Sequence, residues 1–163
     1  NAAVPKLFAA VREHVDQLNP DVLVLFDTDH FHTWFYDRMP TFAVGASAEY
    51  RSEDEGWGIP VSRPVPGDAD LSWHLINTLV ADEFDVTTCQ EMLIDHAVTI
   101  PLALMWPSAA SSNAPWPVRI IPVEINTVQH PLPSMARCRC RPGTCCRARS
   151  QIPAWRSHSC SGC

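Results

Sequence analysis

Apolar residues recur at helical spacing in three stretches of the chain. The first runs from Pro5 to Leu18, with its proline near the first turn and an Asn-Pro pair directly after it. The second follows Asp70, a residue type that caps helices, and ends near Phe84. The third, residues 98–105, is apolar on all sides and has a proline in or near its first turn, so we expect a buried helix there.

Short apolar runs between these helices predict strands at 22–26, 41–45, 85–89 and 118–125. Because Pro122 lacks a backbone N–H, the last strand is expected at a sheet edge or a bulge. Residues 46–67 combine glycines and prolines with acidic residues and predict a long loop, in which Trp57 is expected to be a packing anchor. Strands that alternate with helices indicate an α/β fold, with a layered mixed sheet flanked by helices.

The strand at 22–26 stops abruptly in polar residues with ligand chemistry. Its apolar run predicts a buried strand, and Asp27, Asp29, His30 and His32 follow directly. Side chains just past the carboxyl end of such a strand face the crevice where open α/β sheets bind ligands. Neutral imidazole is a ligand for Fe, Zn, Cu or Ni, and a nearby aspartate can orient the ring. Alone, however, a His-x-His pair is a weak signal, because histidines in loops commonly cap backbone or face water.

Several further segments follow this one in an order typical of one enzyme family. They are Phe35–Gly45, Asp54–Gly58, Ile94–Leu102, Pro122–Asn126 and Gln129–Ser134. Together with Asp29-His30-Phe31, they resemble the class III extradiol ring-cleavage dioxygenases, the family of the protocatechuate 4,5-dioxygenase β subunit and 2,3-dihydroxyphenylpropionate 1,2-dioxygenase. The resemblance runs from Asp21 to Met135.

The resemblance implies one Fe(II), held by two histidines and a glutamate, with open coordination positions for a catechol and O2. It makes His30 a metal ligand and His96 a catalytic acid/base, since imidazole both donates and accepts protons near neutral pH. Asp29 and Asp95, each directly before one of these histidines, are the carboxylates expected to support them. Without the resemblance, His96 is better explained as a hydrogen-bonded core histidine beside Asp95.

This chain departs from the family pattern at several points. The family's other histidine ligand, its glutamate ligand and its second catalytic histidine have no counterpart here, so we expect an incomplete domain that is inactive alone. Ala97 stands where the family has glycine, which would add about 1 kcal/mol of strain if φ there were positive. Relatives form homo-oligomers or pair with a small α subunit, which makes these the expected protein partners.

Charge is distributed unevenly along the chain. The net charge is −6, but residues 1–136 hold 18 acidic and 6 basic residues, a net −12, while residues 137–163 hold 6 basic residues and no acidic one, a net +6. An acidic body argues against nucleic acid as the main partner. No run of 18 apolar residues and no charged-then-apolar leader is found, so a membrane partner is not indicated and a cytoplasmic location is expected.

Cysteine usage changes at the same point. Only Cys89 precedes residue 137, and the others are Cys138, Cys140, Cys145, Cys146, Cys160 and Cys163. Three explanations compete: a zinc site, a disulfide-stapled module and a translation that is out of frame from Arg137. We favour the third, because Arg, Cys, Pro, Ser, Gly and Ala are what GC-rich codons give in a shifted frame. With no face to bury, residues 137–163 are expected to be a disordered tail after a partial dioxygenase domain at 1–136.

These observations give one leading functional hypothesis and two rivals. The leading hypothesis is Fe(II)-dependent extradiol cleavage of a catecholic ring with O2, at the level of the family. The main rival is a non-enzymatic α/β remnant whose cysteine-rich tail binds zinc or a partner. The second rival is a different metal-dependent activity, such as hydrolysis, that keeps the histidine at the strand end.

Overall fold

The computed structural model describes residues 3–59, 61–112 and 114–128. In chain order, the elements are α1 (Ala3–Leu18), β1 (Val22–Asp27), β2 (Phe42–Gly45), β3 (Glu49–Tyr50), β4 (Val65–Pro66), α2 (Ala69–Ala81), β5 (Thr87–Cys89), α3 (His96–Met105), α4 (Pro107–Ser111) and β6 (Arg119–Ile125).

A mixed sheet with the strand order β1-β6-β2-β5 forms the centre of this structure. The β1 and β6 strands run parallel, as do β2 and β5, whereas β2 and β6 are antiparallel. The predicted α/β architecture, a mixed sheet flanked by helices, is confirmed. Within the described residues, no helix has both the length and the apolar character needed to cross a bilayer.

Helices cover the sheet on both faces because its central strands alternate their side chains. In β2, Ala43 packs in a core with α3, and its neighbour Val44 packs in a second core with α2. In β6, Ile120 and Ile121 divide in the same way, and both are fully buried. The cores therefore lie on opposite faces, and β2 and β6 belong to both.

The prediction that β1 is a buried strand is wrong. Among the strands of the described residues, it lies at an edge of the sheet and pairs with β6 alone. Leu25 packs against the α3 core, but Val24 is 45% exposed and Phe26 is 71% exposed on the other face. An apolar run shows that a segment is suited to burial, but it does not say which strands the chain brings alongside it.

The expectation that Pro122 marks an edge or a bulge is also wrong, because β6 is a central strand. Its antiparallel pairing with β2 ends at Val44 opposite Val123, one residue short of the proline. Gly45 lies beside the proline ring, and a Cβ there would come within 2.8 Å of Pro122 Cγ. A central proline is tolerated here because the pairing with β2 stops before it and a glycine of β2 leaves space for its ring.

Residues 46–67 are not a simple loop. The short strands β3 and β4 pair within this segment, Glu49 opposite Pro66 and Tyr50 opposite Val65. Tyr50 is fully buried in the α3 core, so the segment contributes to the core. Trp57, by contrast, is 96% exposed, which contradicts its predicted role as a packing anchor.

The helix ends differ from the predicted ones because different residues cap them. Asp68, not Asp70, caps α2 by accepting the N–H of Leu71 at 3.0 Å. This helix ends at Ala81 rather than near Phe84. The α3 helix begins at His96, capped by Asp95, so Pro101 falls in its second turn and not its first.

The sequence did not predict the short helix α4. The expectation that the helix at 98–105 is buried on all sides is also wrong, because α3 exposes Ile100 by 40%. The predictions for the tail at 137–163 and its cysteines lie outside the described residues.

Candidate functional site

The loop after β1 is built around the carboxylate of Asp29. Its two oxygens accept the backbone N–H groups of His32, Thr33 and Trp34 at 2.9–3.2 Å, and the residue is 5% exposed. Phe31 has a φ of +62°, so the chain turns sharply directly after His30. Among the described residues, the Asp29 carboxylate is hydrogen-bonded to loop backbone rather than to an imidazole ring. Asp29 therefore supports His30 through the shape of the loop.

His30 is held by Asp95, which lies 65 residues further along the chain. Asp95 Oδ2 is 2.8 Å from His30 Nδ1 and accepts the His30 backbone N–H at 2.9 Å. Asp95 Oδ1 accepts the N–H of Ala97 at 2.7 Å and so caps α3. The Asp95 side chain is 2% exposed and the His30 side chain 43% exposed, so a buried carboxylate fixes a ring that solvent can reach.

His96 is the first residue of α3, and its ring lies beside that of His30. The two ring centroids are 4.4 Å apart, with an angle of 33° between the ring planes. His96 Nδ1 lies 2.7 Å from Oε2 of Glu55, and this hydrogen bond is the main reason that the pKa of His96 is raised. Ala97, where the family has glycine, does not have a positive φ. The strain considered for that position is therefore absent.

The two histidines and Asp95 form a group with metal-ligand chemistry. Each offers one ligand atom, and these atoms lie within 4.8 Å of one another. With Nδ1 of each ring engaged by a carboxylate, Nε2 is the nitrogen left to bind a metal or exchange a proton. Asp95 already accepts three hydrogen bonds, so the imidazole nitrogens are the atoms still available to bind a metal. They fit a metal that accepts imidazole nitrogen, such as Fe(II).

Two further carboxyls lie at the carboxyl ends of the parallel strands β1 and β6. Asp27 and Glu124 are opposite one another in the register of these strands. Burial, together with a smaller effect of neighbouring carboxylates, raises the pKa of Asp27 to about 7 and that of Glu124 to about 8. Trp34 Nε1 donates a hydrogen bond to Glu124, whereas Asp27 Oδ1 is buried without a partner in the described residues.

The sequence analysis named some of these residues and missed others. It named His30, His96, Asp29 and Asp95, and the structure brings His30, Asp95 and His96 into one cluster. Their chemical roles remain predictions. It missed Glu55 and Glu124, although Glu55 lies within the matched Asp54–Gly58 segment and Glu124 is the one acidic residue of the largely apolar strand β6.

Comparison with known proteins identifies relatives over most of the chain. A family model described as the catalytic LigB subunit of aromatic ring-opening dioxygenase matches residues 1–141. The chain is 35% identical over 138 residues to the 2,3-dihydroxyphenylpropionate/2,3-dihydroxicinnamic acid 1,2-dioxygenase of Cupriavidus necator, which covers 85% of this chain and 41% of the relative. Proteins of the same name from Burkholderia vietnamiensis and Rhodococcus globerulus are 33% and 28% identical over 138 residues, 85% of this chain and 40% and 41% of theirs. The chain thus spans about two-fifths of the length of these relatives.

Proposed function

Because the chain belongs to the family of the catalytic LigB subunit of aromatic ring-opening dioxygenases, as its motif order predicts, we propose that it carries part of an Fe(II)-dependent extradiol dioxygenase site. In the proposed reaction, a ring carbon–carbon bond beside the two hydroxyls of a catechol breaks, and both atoms of O2 enter the ring-opened product. The observation that carries the proposal is the pair of adjacent imidazoles, each hydrogen-bonded through Nδ1 to a carboxylate.

His30 is the proposed metal ligand. Its hydrogen bond to Asp95 favours the tautomer with the proton on Nδ1, which leaves the lone pair of Nε2 for Fe(II). The same bond fixes the direction of the ring, and its 43% exposure leaves the ring within reach of solutes. Bound Fe(II) supplies a Lewis-acidic, redox-active centre at which a catechol and O2 are brought together.

His96 is the proposed acid/base. A catechol must lose a proton before ring cleavage, and the ring-opening sequence later needs a proton returned. His96 Nε2 is free of the Glu55 hydrogen bond and can accept and return that proton. The raised pKa of His96 keeps it a proton carrier near neutral pH.

The substrate is proposed to be a catechol with a carboxylate-bearing side chain. The relatives named above are called 2,3-dihydroxyphenylpropionate/2,3-dihydroxicinnamic acid 1,2-dioxygenases, so these compounds are the first to test. The loop beside His30 also carries an aromatic pair, Phe31 and Tyr36, with ring centroids 4.8 Å apart. Assembly as a homo-oligomer or with a small α subunit is part of the same proposal and rests on the family resemblance.

The proposal is tested by anaerobic Fe(II) titration of the 163-residue chain. We expect weak binding, since the family's other two ligands have no counterpart in these residues, and we expect H30A to abolish it. H14A is the matched control, because His14 is an exposed histidine on α1. Fe(II) binding that is unchanged in H30A would refute the ligand role of His30.

A second measurement follows O2 uptake with 2,3-dihydroxyphenylpropionate. We expect none from this chain with Fe(II), because one ligand of three does not hold the metal in a reactive geometry. Stoichiometric Fe(II) binding with catechol-dependent O2 uptake would contradict the proposed inactivity and support the proposed chemistry in this chain itself.

A further inference from the structure

We propose that Glu55 is the positioning residue of His96, holding its proton on Nδ1 so that Nε2 is the nitrogen that accepts a proton. The inference rests on the proposed function only in giving His96 an acid/base role. It adds a residue from a separate loop, 41 residues before His96, to the group that acts.

The geometry of the contact supports this assignment. Glu55 Oε2 lies 2.7 Å from His96 Nδ1, and the Glu55 side chain is 13% exposed. An ionised carboxylate only accepts hydrogen bonds, so the Nδ1 atom facing it carries the proton. The neutral imidazole is then left with its lone pair on Nε2.

The neighbouring Asp95 does not serve this purpose. Although it directly precedes His96, its two oxygens accept the ring and backbone N–H of His30 and the N–H of Ala97. Among the described residues, Glu55 is the carboxylate hydrogen-bonded to the His96 ring. Each histidine of the pair therefore has its own carboxylate.

The backbone around Glu55 is consistent with this role. Asp54 accepts the N–H of Gly56 at 2.8 Å. The three residues that follow Glu55, namely Gly56, Trp57 and Gly58, all have positive φ, from +56° to +74°. A left-handed conformation at tryptophan is strained. The Trp57 side chain is 96% exposed, so packing within the described residues does not offset that strain. The tight turn thus combines an outward tryptophan with a Glu55 that faces inward.

The test reads the tautomer of His96 directly by long-range ¹H–¹⁵N NMR of the ¹⁵N-histidine-labelled, metal-free chain, at a pH where its histidines are neutral. We expect Nδ1–H to dominate for His96. In E55A, the ratio of Nδ1–H to Nε2–H should fall at least about fivefold, the change that one ordinary hydrogen bond produces. In E55Q the ratio should lie between those of wild type and E55A, because an amide can either accept from Nδ1–H or donate to an unprotonated Nδ1.

The control variant is E53A, which removes an exposed carboxylate from the same loop and should leave the ratio unchanged. His30, held by Asp95, reports in the same spectrum whether each variant is folded. The exposed His14 gives the tautomer ratio of an unconstrained ring. A wild-type ratio at His96 equal to that of His14, or a ratio unchanged in E55A, would overturn the proposal.

This readout needs neither iron nor turnover. A chain that fails to bind Fe(II) through His30 but shows the Glu55-dependent tautomer would refute the proposed function and leave the positioning role intact. The reverse result would remove Glu55 from the mechanism and leave His30 as the ligand.

Discussion

The two histidines of the site are each held through Nδ1 by a carboxylate, but the two carboxylates differ in burial and in their other hydrogen bonds. Asp95 is buried, accepts three hydrogen bonds and caps α3. Glu55 lies on a loop between elements, and within the described part of the chain its carboxylate is hydrogen-bonded to His96. The difference shows that Asp95 both stabilises the fold and holds His30, whereas Glu55 holds the ring of His96 without capping a helix.

The largest expected effect is that of D95A. Removing this carboxylate leaves the two N–H groups of His30 and the N–H of Ala97 without their acceptor. Losing these hydrogen bonds to a buried carboxylate should lower the free energy of unfolding by about 3–5 kcal/mol, measured by urea denaturation. D95N should lose less, since its amide oxygen can still cap α3 while its NH2 cannot accept from His30. A D95A loss below about 1 kcal/mol would show that Asp95 is not part of the fold.

D29A is expected to have the next largest effect. Asp29 accepts three backbone N–H groups in the loop that carries His30, and it is 5% exposed. Leaving these donors unpaired should lower the free energy of unfolding by about 2–3 kcal/mol, measured in the same way. The control is D37A, an exposed aspartate on the same loop, which should change stability by less than about 0.5 kcal/mol. Equal losses in the two variants would mean that the Asp29 hydrogen bonds do not organise the loop.

Periodicity predicted the longer helices and the strands of the main sheet, but not the short elements β3, β4 and α4 and not how the strands are ordered. The apolar run of β1 looked like a buried strand, yet β1 lies at an edge of the sheet that the described residues form, and Phe26 is 71% exposed. Pro122 looked like an edge residue, yet its strand is central because Gly45 leaves room for its ring. Both errors concern neighbours distant in sequence, which local patterns do not encode.

The site followed the same rule. Motif order pointed to His30 and His96 and to the aspartate before each of them, but it did not show that Asp95 holds His30 or that Glu55 holds His96. His30 meets Asp95 across 65 residues, and His96 meets Glu55 across 41. Glu124 was missed because one acidic residue in an apolar strand does not reveal that its strand pairs with β1.

E124Q tests a buried carboxyl that holds no histidine. The pKa of Glu124 is about 8 in the folded chain because of burial, against an ordinary value of 4.5. Between these values Glu124 loses its proton in the unfolded chain but keeps it in the folded chain, so its contribution to wild-type stability falls as pH rises and levels off above pH 8. Glutamine does not titrate and still accepts from Trp34. The stability of E124Q relative to wild type should therefore rise by about 2 kcal/mol or more from pH 4.5 to pH 8, measured by denaturation across pH.

The control for this pH series is E91Q, which changes an exposed glutamate and should give a flat difference from wild type. A flat difference for E124Q as well would mean that Glu124 is ionised in the folded chain at neutral pH. In that case the fold would stabilise Glu124 in its charged form despite burial, and the expected pH dependence would be wrong.

The smallest effect on stability is expected for E55A, which completes the comparison with Asp95. Its loss should stay within about 0.5 kcal/mol, because the contact is only partly buried, His96 being 33% exposed, and Glu55 caps no helix among the described residues. Its effect on His96 should be clear, since the Glu55 hydrogen bond is the main cause of the raised His96 pKa, and an NMR titration should find a lower pKa in E55A.

The stability loss of E55A is also expected to depend on pH. A raised histidine pKa adds stability below the ordinary value of 6.5, and the contribution is lost as pH rises through the folded pKa. The small destabilisation of E55A should therefore appear on the acid side of that range and vanish on the alkaline side, while E53A shows neither change. If E55A instead destabilised the chain as much as D95A at every pH, the Glu55 loop would be part of the fold, and the two carboxylates would have the same role.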